Sequence, residues 1–144
     1  MYFIETDTPI SKFTKLSPPP KTYLNKEGIE KGVKNYNLSN RAQKLYESSK
    51  NKDGLVINVS SGLRVVYSGK TKNLSSRLRE HAFGHPGTAA LALVNYPELK
   101  RYQWYYYFLE SAKYKHREEK DEILLKLGEQ IWRAKYGWPI LSSG

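Results

Sequence analysis

Cysteine is absent from the 144 residues. That excludes disulfides and thiolate metal sites and fits a reducing, cytoplasmic setting. No apolar run approaches the ~20 residues that span a bilayer. The opening stretch, MYFIETDTPI, lacks the basic and apolar blocks of a signal peptide. Walker and Rossmann glycine patterns are missing, and so are the signatures of a zinc finger or a helix-turn-helix. Acids are scarce: 14 Asp and Glu stand against 24 Lys and Arg, a formal net charge of +10. So basic a chain is expected to meet polyanions, because neutralising phosphates releases counterions. Nucleic acid fits better than an acidic membrane surface, since no basic helix with a broad apolar face stands out.

What is present is enough for one core. Residues 1–10 read as a short strand or an arm, and 12–23, with Pro18-Pro19-Pro20, as an extended linker. A polar, glycine-interrupted helix is expected around 26–34. A second helix starts at Ser39 or Asn40 and buries Ala42 and Leu45. Asn51-Lys52-Asp53-Gly54 is a turn signal, and a hairpin of 55–59 with 63–68 follows, closed by Ser60-Ser61-Gly62. Residues 88–95 read as a short apolar helix capped by Thr88 and ended by Pro97. The run YQWYYYFL at 102–109 reads as a central strand with aromatics on both faces. Core packing accounts for those rings ahead of a platform for stacked bases.

The last helix is expected from about Ala112 to Tyr136, stopped by Gly137 and Pro139. At ~100° per residue, Ile123, Leu124, Leu127, Ile131 and Ala134 form its core stripe. Leu125, Trp132 and Tyr136 form a second apolar face, and Glu129 falls among them. The order of elements implies an α/β (α+β) domain over 51–144, a mainly antiparallel three-stranded sheet flanked by helices. An N-terminal arm, Pro-rich linker and short helices over 1–50 precede it.

The stretch that organises the rest is RVVYSGKTKNLSSRLREH, residues 64–81. It reads as a strand, a tight Gly69 turn, and a helix from about Lys72 capped by Thr71. Leu74, Leu78 and Ala82 give that helix a buried stripe, while Asn73, Arg77 and His81 share a second face. Lys70 stands at the mouth of the turn. Lys70, Arg77, His81 and the Tyr67 hydroxyl therefore converge where a phosphate fits.

This stretch resembles the GIY-YIG nuclease family. Tyr67-Ser68-Gly69 looks like its second signature, and Gly69-Lys70, Asn73-Leu74, Arg77-Leu78 and His81 look like the run that follows. Gly54-Leu55-Val56 stands where the first signature belongs, with Val56 in place of its tyrosine. Glu129, ahead of a Pro-containing tail, looks like the essential glutamate, and Ser142 stands where the family usually has Asn. The resemblance implies a DNA endonuclease that hydrolyses phosphodiester bonds with Mg2+ or Mn2+. Arg77 would clamp the phosphate, Glu129 would hold the metal, and Tyr67, assisted by His81 and Lys70, would position the water. The expected partner is double-stranded DNA, with a homodimer for cutting both strands and no membrane. Val56 and Ser142 motivate the alternative, a catalytically impaired nucleic-acid-binding module on the same fold.

Overall fold

The computed structural model describes residues 1–49, 62–109 and 118–142. Its main sheet has three antiparallel strands in the order β4-β1-β5, where β1 is Tyr2–Thr6, β4 is Arg64–Gly69 and β5 is Trp104–Phe108. The expected antiparallel three-stranded sheet is present, but its middle strand is the N-terminal segment. Tyr2, Ile4 and Thr6 of β1 are essentially inaccessible to solvent, which suits the strand that is flanked on both edges. The boundary expected at residue 50 therefore runs through one sheet, since β1 precedes it while β4 and β5 follow it. The aromatic run forms an edge strand among the described residues. Trp104 and Tyr106 turn inward while Tyr105 and Tyr107 stay exposed.

Among the described residues, four helices complete the architecture: α1 (Ile10–Phe13), α2 (Leu38–Ser49), α3 (Leu74–Phe83) and α4 (Glu118–Tyr136). The Asn37 side chain caps α2 by accepting from the Asn40 N–H at 3.0 Å, and the helix buries Leu38 and Ala42. Where a helix was expected around 26–34, two exposed strands, β2 (Thr22–Leu24) and β3 (Glu30–Gly32), form a ribbon instead. The Asn25 side chain accepts from the N–H groups of Glu27 and Ile29, and Gly28 supplies a φ of +74°. Asn and Gly favour that turn over a helix interior.

Residues 88–95 are not a helix. Two short 3-10 turns, Leu93–Asn95 and Pro97–Leu99, follow a buried Ala90-Leu91-Ala92, whose last residue takes a left-handed φ of +50°. The polar groups of that backbone serve distant partners in place of a helix's own hydrogen bonds. Ala89 O accepts from Arg77 and the Leu91 N–H donates to His81, while Ala90 O accepts from the Tyr36 N–H.

The last helix packs on the face that was not its expected core. Phe3 of β1 meets Trp132 at 4.7 Å between ring centroids, and Glu129 is buried beside it. The expected stripe points outward: Ile123, Leu124, Leu127 and Ile131 are 66%, 50%, 53% and 59% exposed. The outer edge of β4 is covered by the C-terminal segment. The Leu141 N–H donates to Val66 O at 2.7 Å, and Ser142 Oγ accepts from the Ser68 N–H at 2.9 Å. The expected strand 55–59, with Val56, lies outside the described residues, as do the turn at 51–54 and residues 110–117. Among the described residues, no helix is long and apolar enough to cross a membrane.

Candidate active site

β4 delivers Tyr67 to one face of the sheet and Ser68 to the other, as successive residues of a strand must. On the first face, Tyr67 is joined by Arg77 and His81 of α3, as the spacing predicted. The helix begins two residues later than expected. Asn73 is the cap and accepts from the Ser76 N–H at 3.0 Å, while the Thr71 hydroxyl closes a local turn on the Asn73 N–H. Asn73 is thus spent on the helix end, and α3 turns His81 fully inward, with Leu74 and Leu78 only partly buried.

The residue that sequence reasoning missed is Tyr2. Its hydroxyl is 2.7 Å from His81 Nε2 and accepts from Arg77 Nε at 3.1 Å. Its ring lies 6.0 Å from that of Tyr67 and 5.7 Å from that of His81. A signal for it stood in the chain at Gly69, because a strand glycine often marks a close approach. A Cβ on Gly69 would fall 2.6 Å from the Tyr2 hydroxyl. The glycine of the Tyr-Ser-Gly motif is therefore the floor on which the Tyr2 phenol rests.

The protons of this cluster can be assigned. The Leu91 N–H can only donate, so His81 Nδ1 accepts it, at 3.2 Å. A neutral imidazole then carries its proton on Nε2 and donates to Tyr2. The Tyr2 oxygen therefore receives two donors, His81 Nε2 and Arg77 Nε. The Tyr67 hydroxyl accepts from Arg77 Nη2 at 3.5 Å, and its ring lies 6.4 Å from that of Tyr36. Burial above all holds both phenols above the usual tyrosine range. Both are neutral near pH 7, so either accepts a proton only by giving up its own.

His81 consequently has no nitrogen left for a water. Burial, then the charges of Arg77 and Arg41, push its pKa down to about 3. It acts as a positioning group for Tyr2, in place of the assisting base that sequence suggested. Because the folded value lies below the unfolded value of about 6.5, the neutral imidazole stabilises the fold fully above that pH. The contribution is lost as pH falls from about 6.5 to about 3, at about 1.4 kcal/mol per pH unit. Urea midpoints are expected to fall over that window in the parent and equally in a His85→Gln control. A flat profile down to pH 4 would mean that His81 is charged in the fold.

Arg77 is closely held. Nη1 pairs with Glu80 at 2.7 Å, Nε serves Tyr2, and Nη2 serves Ala89 O at 2.9 Å as well as Tyr67. Burial lowers its pKa, but Glu80, Tyr2 and Tyr67 outweigh that and hold it above the usual arginine range. Lys70 directly follows β4 and is half-buried.

Glu129 belongs to the other face. Its Oε1 takes Arg133 Nη2 at 2.7 Å and the Ser68 hydroxyl at 3.3 Å. Arg133 also donates from Nε to Ser68 Oγ at 3.0 Å and stacks on Trp138 at 4.3 Å. Ser142 belongs to the same group through Ser68. The sheet thus separates Glu129 from Arg77. A carboxylate paired with a guanidinium, across the strand from the tyrosines, would have to part from Arg133 before it could hold a metal. No cluster of three or more His, Asp or Glu able to hold a metal occurs among the described residues. Comparison with protein-family models, curated proteins and solved structures returned no match.

Proposed function

We propose that this chain is a nucleic-acid enzyme of the GIY-YIG type, an endonuclease that hydrolyses DNA phosphodiester bonds. The observation that carries the reading is the convergence of Tyr2, Tyr67, Arg77 and His81 from β1, β4 and α3. Two hydroxyls, a guanidinium and a neutral imidazole in one hydrogen-bonded group suit phosphoryl transfer. The cation meets charge on the non-bridging oxygens, and the hydroxyls position the water and handle its proton. The vacancy expected at Val56 is no obstacle on this reading, because the Tyr2 phenol already stands against Tyr67. The net charge of +10 supplies the general attraction to the polyanion.

The resemblance brings a divalent ion with it, Mg2+ or Mn2+. Mg2+ is commonly held by one or two carboxylates together with substrate phosphates, without a cage built wholly from protein. Glu129 can serve such an ion only after parting from Arg133. That pairing favours the second reading, a catalytically impaired module that binds nucleic acid without cutting it.

Supercoiled plasmid incubated with the pure protein and Mg2+, with and without chelator, separates the two. The expected result is nicking or linearisation that chelator abolishes. Glu129→Gln is expected to lower cleavage at least ~10²-fold with DNA binding retained. Gln keeps an acceptor oxygen for Arg133 and Ser68, so the fold survives the change. Cleavage that persists in the Gln variant or in chelator places the active site elsewhere. Binding without any cleavage by the parent establishes the module.

A further inference from the structure

Three arginines stand near the sheet's two polar clusters, and two of them are neutralised. Arg77 pairs with Glu80 and Arg133 with Glu129. Arg41, on α2, has no carboxylate partner among the described residues. Its guanidinium carbon lies 3.3 Å from the centroid of the Tyr36 ring, and one Nη donates to Leu141 O. A ring face and a carbonyl orient a guanidinium, but they leave its charge unbalanced. Burial accordingly lowers its pKa below the usual arginine range. The Tyr36 ring stands 6.4 Å from the Tyr67 ring, and Tyr67 accepts from Arg77. Arg41, Tyr36, Tyr67 and Arg77 therefore follow one another across a single face.

A half-buried cation held in a fixed orientation with no anion among the described residues is suited to one from outside. Planar forks of this kind match phosphate oxygens. We propose that Arg41 binds a phosphate of the nucleic-acid backbone, the neighbour of the phosphate presented to Arg77, so that α2 grips the strand beside the point of cleavage. Tyr36 acts as the platform that orients it. This rests on the nucleic-acid reading above, and it gives the segment before residue 50 a binding role besides its structural one. Arg41 is also the more available of the two cations on this face, because the Arg77 N–H groups already serve Glu80, Tyr2, Tyr67 and Ala89.

The test measures anisotropy of a short labelled DNA duplex in chelator across a salt series, so that catalysis plays no part. Arg41→Gln is expected to weaken binding about ten-fold and to reduce the slope of log affinity against log salt by about 0.9, the value for one lost phosphate contact. Arg41→Lys, which keeps the charge, should keep the slope. A purely structural role would lower the melting temperature and leave the slope unchanged, and that result in a folded Gln variant overturns the proposal. Inorganic phosphate is the second probe: it should raise the melting temperature of the parent and not of Arg41→Gln. If it does so while the parent binds no duplex, the site takes a small phosphate ligand, and the backbone assignment fails together with the nucleic-acid reading. A parent that binds duplex through Arg41 yet never cleaves it leaves this proposal standing and overturns only the nuclease.

Discussion

Arg77→Ala is expected to lower cleavage by at least ~10²–10³-fold, the usual consequence of removing a charged group aimed at a transition state. Affinity for DNA should fall far less, since an interaction made mainly in the transition state contributes little to ground-state binding. The change also has a structural cost that can be anticipated. Arg77 ties Tyr2, Tyr67, Glu80 and the Ala89 carbonyl into one group. Without it, half-buried acceptors lose a charged donor, at about 1.5–3 kcal/mol for a hydrogen bond of that kind. A melting temperature lower by several degrees is expected. Arg77→Lys separates the two effects. It keeps a cation but cannot serve four acceptors with a planar fork, so it should recover part of the stability and little of the activity. Arg79→Ala, an exposed neighbour on the same helix, is the control. Equal losses in Arg77→Ala and Arg79→Ala would reduce Arg77 to one more charge on a basic surface.

The second large effect is expected from Tyr2→Phe, which removes one oxygen from the molecule. That oxygen receives the His81 Nε2 proton and the Arg77 Nε proton. Phe leaves both donors enclosed without an acceptor, at about 1–3 kcal/mol for a buried group so stranded. The ring itself keeps its place over Gly69 and against Tyr67, so the core should not open. Cleavage is expected to drop by ~10²-fold or more, within the range for losing a positioned proton-handling group. Tyr67→Phe should do the same, and the double variant should lose little further, because the two hydroxyls act in one group around Arg77. A pH–rate profile adds an independent readout: removal of a hydroxyl that relays a proton alters the profile, whereas loosened packing lowers it uniformly. Tyr2→Phe enzyme working at the parental rate would falsify the role assigned to this residue. Strict additivity of Tyr2→Phe and Tyr67→Phe would show that the two hydroxyls act separately.

What the sequence determined by itself were the features whose causes are local. The β-branched run before Gly69 made β4, and the i, i+4 spacing put Arg77 and His81 on one helix face beside Tyr67. Gly137 ended the last helix one residue beyond Tyr136. The excess of basic residues was equally plain. Tertiary structure decided everything that depended on a distant partner. Nothing near Tyr2 says that Tyr2–Thr6 will lie between two strands that begin some sixty and a hundred residues later; only pairing on both edges makes it central. α4 carried two apolar faces of similar strength, and the contact of Phe3 with Trp132 selected the one that bears Glu129. The same choice turned Glu129 toward Arg133 and Ser68 and away from Arg77, because Ser68 and Tyr67 project from opposite sides of one strand. His81 looked like a base from its type and spacing. Enclosure beneath Tyr2, with the Leu91 amide on its other nitrogen, made it a donor that holds the tyrosine in place. Side-chain type and helical or strand period are written in neighbouring residues. Burial and pairing belong to the folded chain as a whole, and they set which nitrogen carries a proton and which carboxylate each guanidinium meets.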